Sequence, residues 1–155
     1  MATKKRVAQA KKAKTRILKV AKARETERDY SHRTLIDKLG VKVGQTIAVV
    51  GVDDAAFLDE LAARVPNFYS GLPQDPADLI FYAVEDRSNL PELKPLAAFI
   101  MKTGAIWAVY PKGQGHIRET DVITAAKAVG LVDNKVCRFS ETHTALRLCI
   151  PVAKR

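Results

Sequence analysis

The sequence predicts a mixed α/β fold with one mainly parallel sheet that ends in an antiparallel hairpin. Three apolar runs, each of the length of one buried strand, alternate with segments of helical periodicity. They are TIAVVG (46–51), DLIFYAV (78–84) and AIWAVY (105–110). Continuous apolar runs are typical of strands that are covered on both faces, as in parallel sheets. A chain of 155 residues is long enough for one domain with its own core.

A short helix is predicted before the first strand. Ser31 or Thr34 can cap it, and Gly40 can end it. Its apolar side chains are Leu35, Ile36 and Leu39. A second helix is predicted directly after the first strand, where Asp53 and Asp54 are suitable capping residues. The apolar face of this helix contains Phe57, Leu58 and Leu61.

The rest of the chain continues the alternation of strands and helices. The turn-rich segment that follows the second helix holds at most a short strand, at 67–70. A third helix is predicted over 91–102, before Gly104, and a fourth over 119–130. Residues 132–152 have the pattern of two strands joined by a turn near 141–144. This order favours right-handed crossovers between parallel strands, followed by the hairpin.

The charge of the chain is concentrated at its beginning. Residues 1–28 contain eleven Lys and Arg and two Glu, so this segment carries the whole net charge of +9. We therefore divide the chain into a basic arm, residues 1–28, and an α/β domain, residues 29–155. Ala, Lys and Arg favour helices, so the arm is predicted to be helical, more fully so against an anionic partner.

The basic arm is predicted to bind nucleic acid. It has no aromatic residue, so it contacts phosphates of DNA or RNA rather than stacking on bases, and binding is independent of sequence. The predicted contact residues are Lys4, Lys5, Arg6, Lys11, Lys12, Lys14, Arg16, Lys19, Lys22 and Arg24. A solvated or protein-binding segment, an anionic membrane surface and organelle targeting stay open as alternatives, although the weak apolar face disfavours a membrane.

The composition also predicts the compartment. No apolar run approaches the roughly 18–20 residues of a membrane helix, and the first residues lack the apolar core of a secretory signal. We therefore expect a cytoplasmic protein that does not contact membranes. Cys137 and Cys149 are then expected to be reduced and buried. The histidines and cysteines show no metal-ligand spacing, so no metal is predicted.

Three sequence blocks resemble an uncharacterised bacterial domain family of short chains. The blocks are KLGVKVGQTIAVVG (38–51), WAVYPK (107–112) and GLVDNKVC (130–137). The resemblance covers residues 34–150 and leaves the arm outside. It implies a truncated class I methyltransferase-like, Rossmann-like fold. The family has no established activity, so the resemblance implies no site residues.

The loop after the first strand is the natural place for a cofactor. In methyltransferases of this fold it is rich in glycine, because S-adenosylmethionine lies against its backbone. Here the loop VGVDDA has one glycine, and Gly51, Asp53 and Asp54 are the candidate cofactor-binding residues. No acidic residue follows the second strand before Asp75. We therefore expect a structural turn without a cofactor, and no tight binding of S-adenosylmethionine by residues 29–155. The two aspartates would repel a pyrophosphate but not a sulfonium.

The other candidate residues lie where the carboxyl ends of the strands are expected, since ligands of open α/β sheets bind there. They belong to residues 52–54, 85–88 and the loop PKGQGHIR (111–118), which offers Lys112 and His116 for anion binding or acid–base chemistry. A surface loop is the favoured interpretation of that segment. His143 is expected to be a solvated turn residue.

The sequence thus predicts a non-catalytic protein associated with nucleic acid, in which the α/β body serves as a scaffold or interaction domain. No catalytic residue is assigned. Two alternatives remain: an S-adenosylmethionine-dependent methyltransferase that acts on nucleic acid, and a protein-interaction module.

Overall fold

The computed structural model describes residues 34–155. Within this range the strands are β1 (Ile47–Val50), β2 (Tyr69–Ser70), β3 (Ala77–Ala83), β4 (Ile100–Pro111), β5 (Val132–Arg138) and β6 (His143–Cys149). The helices are α1 (Leu35–Lys38), α2 (Ala55–Arg64), α3 (Leu93–Ala97) and α4 (Glu119–Ala128), with 3-10 turns at Arg87–Glu92 and Val152–Lys154. The predicted helix of the arm, residues 1–28, lies outside the described residues. In the described part of the chain, no helix is long and apolar enough to cross a membrane.

The strands described in residues 34–155 form one sheet of six, in the order β2-β1-β3-β4-β6-β5. Strands β2, β1, β3 and β4 run parallel to one another. Strand β6 is antiparallel to both β4 and β5, so the predicted mixed sheet with a terminal hairpin is confirmed. The chain runs from β1 to β2 on one side and then returns to β3 on the other. A switch point of the topology therefore lies between β1 and β3.

Helices cover the sheet on both faces. On one face, Phe57 and Leu61 of α2 pack in a cluster with Phe81 of β3 and the side chains of α1. On the other face, Leu93 of α3 and Val122 of α4 belong to a second cluster. Each central strand therefore contributes alternate side chains to two cores, which explains the continuous apolar runs in the sequence.

Trp107 joins α1 to the middle of the sheet. Its side chain is 1% exposed and packs in the same cluster as Ile36 and Leu39. The indole Nε1–H donates a hydrogen bond of 3.1 Å to the carbonyl oxygen of Leu39. A buried indole N–H needs such a partner, and here the partner is the end of α1.

The third helix is shorter than the sequence predicts. The predicted helix over 91–102 is too long. A 3-10 turn and the short helix α3 are found instead, and Ile100 already pairs with Ala77 in the sheet. Pro91 and Pro95 supply no N–H to a continuous helix, which favours the short turns that are found. Ile100 is buried as the first residue of β4.

Gly104 lies inside β4 rather than after a helix. A Cβ atom at this position would lie 2.8 Å from the carbonyl oxygens of Ala77 and Asp78. The register between β3 and β4 also shifts in this segment. A residue without a side chain is needed here because the two backbones approach so closely.

Replacing Gly104 with alanine should therefore lower the free energy of unfolding by about 1–3 kcal/mol, since backbone atoms have to move to accept the methyl group. Gly115→Ala is the matched control, because a Cβ atom there meets nothing within 4 Å. Urea denaturation followed by circular dichroism measures both variants. Equal midpoints for the two variants would contradict the close approach.

The two edges of the sheet are short or irregular. Strand β2 forms one edge with two residues. Strand β5 forms the other edge, and its pairing with β6 shifts in register between Asp133 and Lys135. The ammonium group of Lys135 donates a hydrogen bond of 3.1 Å to the carbonyl oxygen of Lys38.

Candidate functional site

A pocket opens at the carboxyl edge of the sheet, beside the switch point between β1 and β3. Its lining comes from four parts of the sheet edge. These are residues 51–54 after β1, Ala83 and Glu85 around the end of β3, Val109 of β4, and the turn between β5 and β6. We call it the switch-point pocket. Its volume is about 420 Å³, within the range of about 300–1,000 Å³ that is usual for small-molecule sites.

The loop after β1 forms the first wall of the switch-point pocket. Gly51 has a φ of +84°, and a Cβ atom there would meet the Cβ of Ala83 at 3.4 Å. The chain therefore turns sharply here, in a left-handed conformation that glycine adopts readily and most other residues rarely adopt. Asp54 accepts a hydrogen bond of 3.0 Å from the N–H of Phe57. Its predicted role as the cap of α2 is confirmed, whereas Asp53 is exposed at the pocket.

The loop after β3 holds Glu85 in place through its backbone. The N–H of Glu85 donates to the side-chain oxygen of Asn89 at 3.0 Å, and its carbonyl accepts from Nε2 of His116 at 3.0 Å. The next residue, Asp86, accepts hydrogen bonds from the hydroxyl and backbone N–H of Ser88, which lower the pKa of the Asp86 carboxyl group. The carboxylate of Glu85 is left to face the hairpin turn.

His143 is part of the switch-point pocket. The turn predicted near 141–144 lies at 139–142, and His143 is the first residue of β6, opposite Pro111 at the end of β4. Its Nε2 atom lies 3.0 Å from Oε2 of Glu85. The expectation of a turn residue is wrong, because His143 pairs with the end of β4 and so lies at the carboxyl edge of the sheet, where its side chain remains partly exposed.

The charge of the pocket is negative. Three carboxylate residues, Asp53, Asp54 and Glu85, line it, and no Lys or Arg is among its described lining residues. Such a lining favours a cationic ligand and disfavours phosphate groups. Within residues 34–155, no group of three or more His, Cys, Asp or Glu side chains could hold a metal ion.

The predicted anion loop borders the pocket without lining it. The N–H of Lys112 donates a hydrogen bond of 3.0 Å to the carbonyl of Thr142, and Nε2 of His116 lies against the carbonyl of Glu85. Both residues are exposed. The loop therefore supports the pocket walls, and anion binding by Lys112 and His116 stays a prediction.

Asp75 lies at the opposite edge of the sheet from the switch-point pocket. A second cavity, of about 410 Å³, opens there beside the start of β1, and Asp75 and Tyr69 line it. The Asp75 carboxylate accepts a hydrogen bond of 3.0 Å from the phenol of Tyr69 and raises the pKa of that phenol. No residue of β2 is among the described residues that line the switch-point pocket. Asp75 therefore cannot replace the acidic residue that is missing after β2.

Solved structures with a similar fold are methyltransferases. A TehB-like S-adenosylmethionine-dependent methyltransferase from Corynebacterium glutamicum has 14% sequence identity and a TM-score of 0.51, over 83% of this chain and 96% of that chain. Magnesium protoporphyrin IX methyltransferase from Synechocystis PCC 6803, solved with bound S-adenosylmethionine, has 11% identity and a TM-score of 0.53, over 76% and 74%. An S-adenosylmethionine-dependent methyltransferase from Aquifex aeolicus has 15% identity and a TM-score of 0.52, over 76% and 88%.

These similar structures and the strand order place the domain in the class of methyltransferase-like α/β folds of the Rossmann type, as the sequence predicts. At these identities the likeness establishes the fold. No family model matches the chain, and no curated protein matches it significantly. The resemblance to the uncharacterised bacterial family therefore remains a prediction.

Two expectations from the sequence are wrong: a non-catalytic scaffold, and a domain without a cofactor. Two of the three similar structures are S-adenosylmethionine-dependent methyltransferases, and the third is a methyltransferase that was solved with S-adenosylmethionine bound. The expectation of no cofactor rests on the single glycine after β1 and on the missing acidic residue after the second strand. In the structure one left-handed glycine is enough for the turn, and the loop after β3 and the hairpin turn provide the other walls of the pocket.

Proposed function

We propose that this chain is an S-adenosylmethionine-dependent methyltransferase whose cofactor occupies the switch-point pocket. The observation that carries the proposal is an acid-lined pocket of about 420 Å³ at the carboxyl edge of the sheet, beside the topological switch point. This is where open α/β sheets bind their ligands. The likeness to methyltransferases of known structure supports the same function.

The charge of the pocket fits the proposed cofactor. S-adenosylmethionine carries a sulfonium, an ammonium and a carboxylate group, so its net charge is +1, and the pocket presents the carboxylates of Asp53, Asp54 and Glu85. Nucleotides and dinucleotides carry phosphates, which these side chains would repel. Charge therefore separates S-adenosylmethionine from the other adenosine cofactors of Rossmann-like folds.

The residues that would hold the cofactor come from two loops. The backbone at Gly51 allows close approach of a ligand, and Asp53 and Glu85 offer exposed carboxylates. One carboxylate oxygen of Asp54 accepts a hydrogen bond from the N–H of Phe57. The acidic residue that normally follows the second strand is missing, so binding of the ribose relies on other groups of the pocket. When bound, the cofactor supplies an electrophilic methyl group.

The acceptor that we propose is nucleic acid, reached through the basic arm of residues 1–28. The supporting observation is the separation of charge along the chain, with the net charge of +9 carried by the arm. A pocket lined by carboxylates does not admit a phosphate. The arm would therefore hold the phosphate backbone, and a base or a sugar would present the acceptor atom to the methyl group of the bound cofactor.

Calorimetry with the full chain tests the proposed cofactor. We expect S-adenosylmethionine to bind with a dissociation constant of about 10 µM or less, which corresponds to roughly −7 kcal/mol. Gly51→Asn should raise this constant at least about tenfold, or about 1.4 kcal/mol. Asparagine tolerates a positive φ, so this variant adds a side chain at the pocket with little backbone strain.

Two controls accompany this measurement. Gly113→Asn makes the same change at a φ of +73° in open space outside the pocket lining, and its affinity should equal that of the wild type. ATP, which has the adenosine group and several phosphates, should not bind to the wild type. Failure of S-adenosylmethionine to bind, or equal binding of ATP, would overturn the proposed function.

A further inference from the structure

A chain of hydrogen-bonding side chains runs along one wall of the switch-point pocket. Glu85 Oε2 and His143 Nε2 are 3.0 Å apart, and His143 Nδ1 and Thr142 Oγ1 are 2.8 Å apart. The chain continues to Oγ of Ser140, 3.3 Å from Oγ1 of Thr142. All four residues line the pocket, and they come from two loops that are far apart in sequence.

The chemistry of these groups fixes the proton positions on the imidazole. An ionised carboxylate only accepts hydrogen bonds, so Nε2 of His143 carries a proton and donates it to Glu85. In the neutral ring Nδ1 is then a lone-pair acceptor, and the hydroxyl of Thr142 donates to it. Glu85 is held for this purpose by Asn89 and His116, which bind its backbone N–H and carbonyl.

The exposure of the pair argues for a role beyond stability. The side chains of His143 and Glu85 are 25% and 60% exposed. Exposed ion pairs add little to the stability of a fold. A histidine held by a carboxylate at the wall of a ligand pocket is instead the usual arrangement of a general base.

We propose that His143 is the general base for methyl transfer, with Nδ1 as the accepting atom, and that Glu85 is its positioning residue. This inference rests on the proposed function and extends it to the acceptor, which must be a hydroxyl or N–H group that loses a proton. The acceptor atom forms its bond to the methyl carbon, and the electron pair of the broken S–CH3 bond stays on sulfur as a thioether. The proton of the acceptor passes to Nδ1, directly or through the Thr142 hydroxyl. The resulting imidazolium is stabilised by Glu85 and releases the proton to water.

Nitrogen NMR of the ¹⁵N-labelled full chain tests the arrangement without any activity measurement. The chain has three histidines, and the signal that disappears in His143→Gln assigns His143. We expect the neutral ring to be in the Nε2–H form, with the Nε2–H proton shifted downfield by its hydrogen bond to Glu85, and Glu85→Ala to remove that shift. Glu141→Ala, which removes a carboxylate of the same turn outside the pocket lining, should leave the shift in place. A dominant Nδ1–H form, or no effect of Glu85→Ala, would overturn the inference.

Single-turnover transfer of labelled methyl groups from S-adenosylmethionine to duplex DNA and to structured RNA tests the role in catalysis. His143→Gln should lower the rate by about 10²–10⁴-fold, the usual contribution of a general base. Its circular dichroism spectrum should match that of the wild type, and the rates are compared at saturating S-adenosylmethionine because His143 also lines the proposed cofactor pocket. Glu141→Gln should transfer methyl groups at the wild-type rate.

The outcomes separate the inference from the proposed function. Lack of cofactor binding by the wild type overturns the proposed function together with the inference that rests on it. Cofactor binding and methyl transfer with an unaffected His143→Gln variant overturns the inference alone. Cofactor binding without transfer to either nucleic acid overturns the choice of acceptor, and the tautomer of His143 then decides the inference.

Discussion

Replacing Trp107 with alanine is expected to lower the free energy of unfolding by about 3–5 kcal/mol, the usual cost of a large cavity in a core. Trp107 is 1% exposed in the middle of β4, where it contacts the cluster that includes α1 and α2. The truncation also removes the hydrogen bond to the carbonyl of Leu39, so the end of α1 loses one of its contacts with the sheet. Urea denaturation followed by circular dichroism measures the change, because the variant contains no tryptophan whose fluorescence could be followed.

Trp107→Phe is the control that separates the ring from its N–H group. It keeps an aromatic ring in the core and should cost about 1–3 kcal/mol, mainly because the buried carbonyl of Leu39 loses its partner. In the wild type, acrylamide should quench the fluorescence of native Trp107 much less than that of the unfolded chain. Equal quenching in the two states would contradict the assignment of β4 as a central strand.

The second large effect concerns the basic arm. If about six of its cations contact phosphates, the slope of log K against log salt on duplex DNA should be about −5, since each contact contributes about −0.9. Affinity should then fall by about 10³-fold between about 50 and 200 mM salt. Deleting residues 1–28 should abolish binding, whereas the circular dichroism spectrum should show that the α/β domain remains folded. Fluorescence anisotropy with a labelled duplex measures both quantities.

A charge-matched pair of variants tests whether the position of the cations matters. Replacing Lys11, Lys12 and Lys14 together by Gln should flatten the salt slope by up to about 3 units. Replacing the exposed Lys94, Lys102 and Lys127 of the α/β domain by Gln removes the same charge. This variant should leave the salt slope unchanged. The proposed role of the arm would be contradicted if the truncated chain bound duplex DNA as well as the full chain. It would also be contradicted if the affinity barely responded to salt.

The sequence predicts those elements whose local pattern agrees with the tertiary structure. The apolar run that ends at Gly51 is β1, and the run over 78–84 is β3 within one residue at either end. The prediction fails at 91–102, where helical spacing of apolar residues continues into β4. The strand pairing of Ile100 with Ala77 is a contact between distant segments, so no periodicity within the segment could reveal it.

The candidate site could be predicted only in part. Gly51, Asp53 and Asp54 were recognisable because they directly follow a strand, and all three line the pocket. The position of His143 in the pocket is not predictable from the local pattern, which indicates only a turn before the last strand. An antiparallel strand next to β4 begins where β4 ends, so this turn had to reach the carboxyl edge of the sheet. That deduction required the strand order, which the sequence did not supply.

The edges of the sheet have a consequence for self-association. A long, regular edge strand offers free N–H and C=O groups on which another chain can add a strand. Strand β2 is too short to serve as such a template, and the register shift in β5 interrupts its row of backbone groups between Asp133 and Lys135. These charged residues are also exposed on β5. The α/β domain should therefore resist edge-to-edge aggregation at high concentration, even though its central strands are almost entirely apolar.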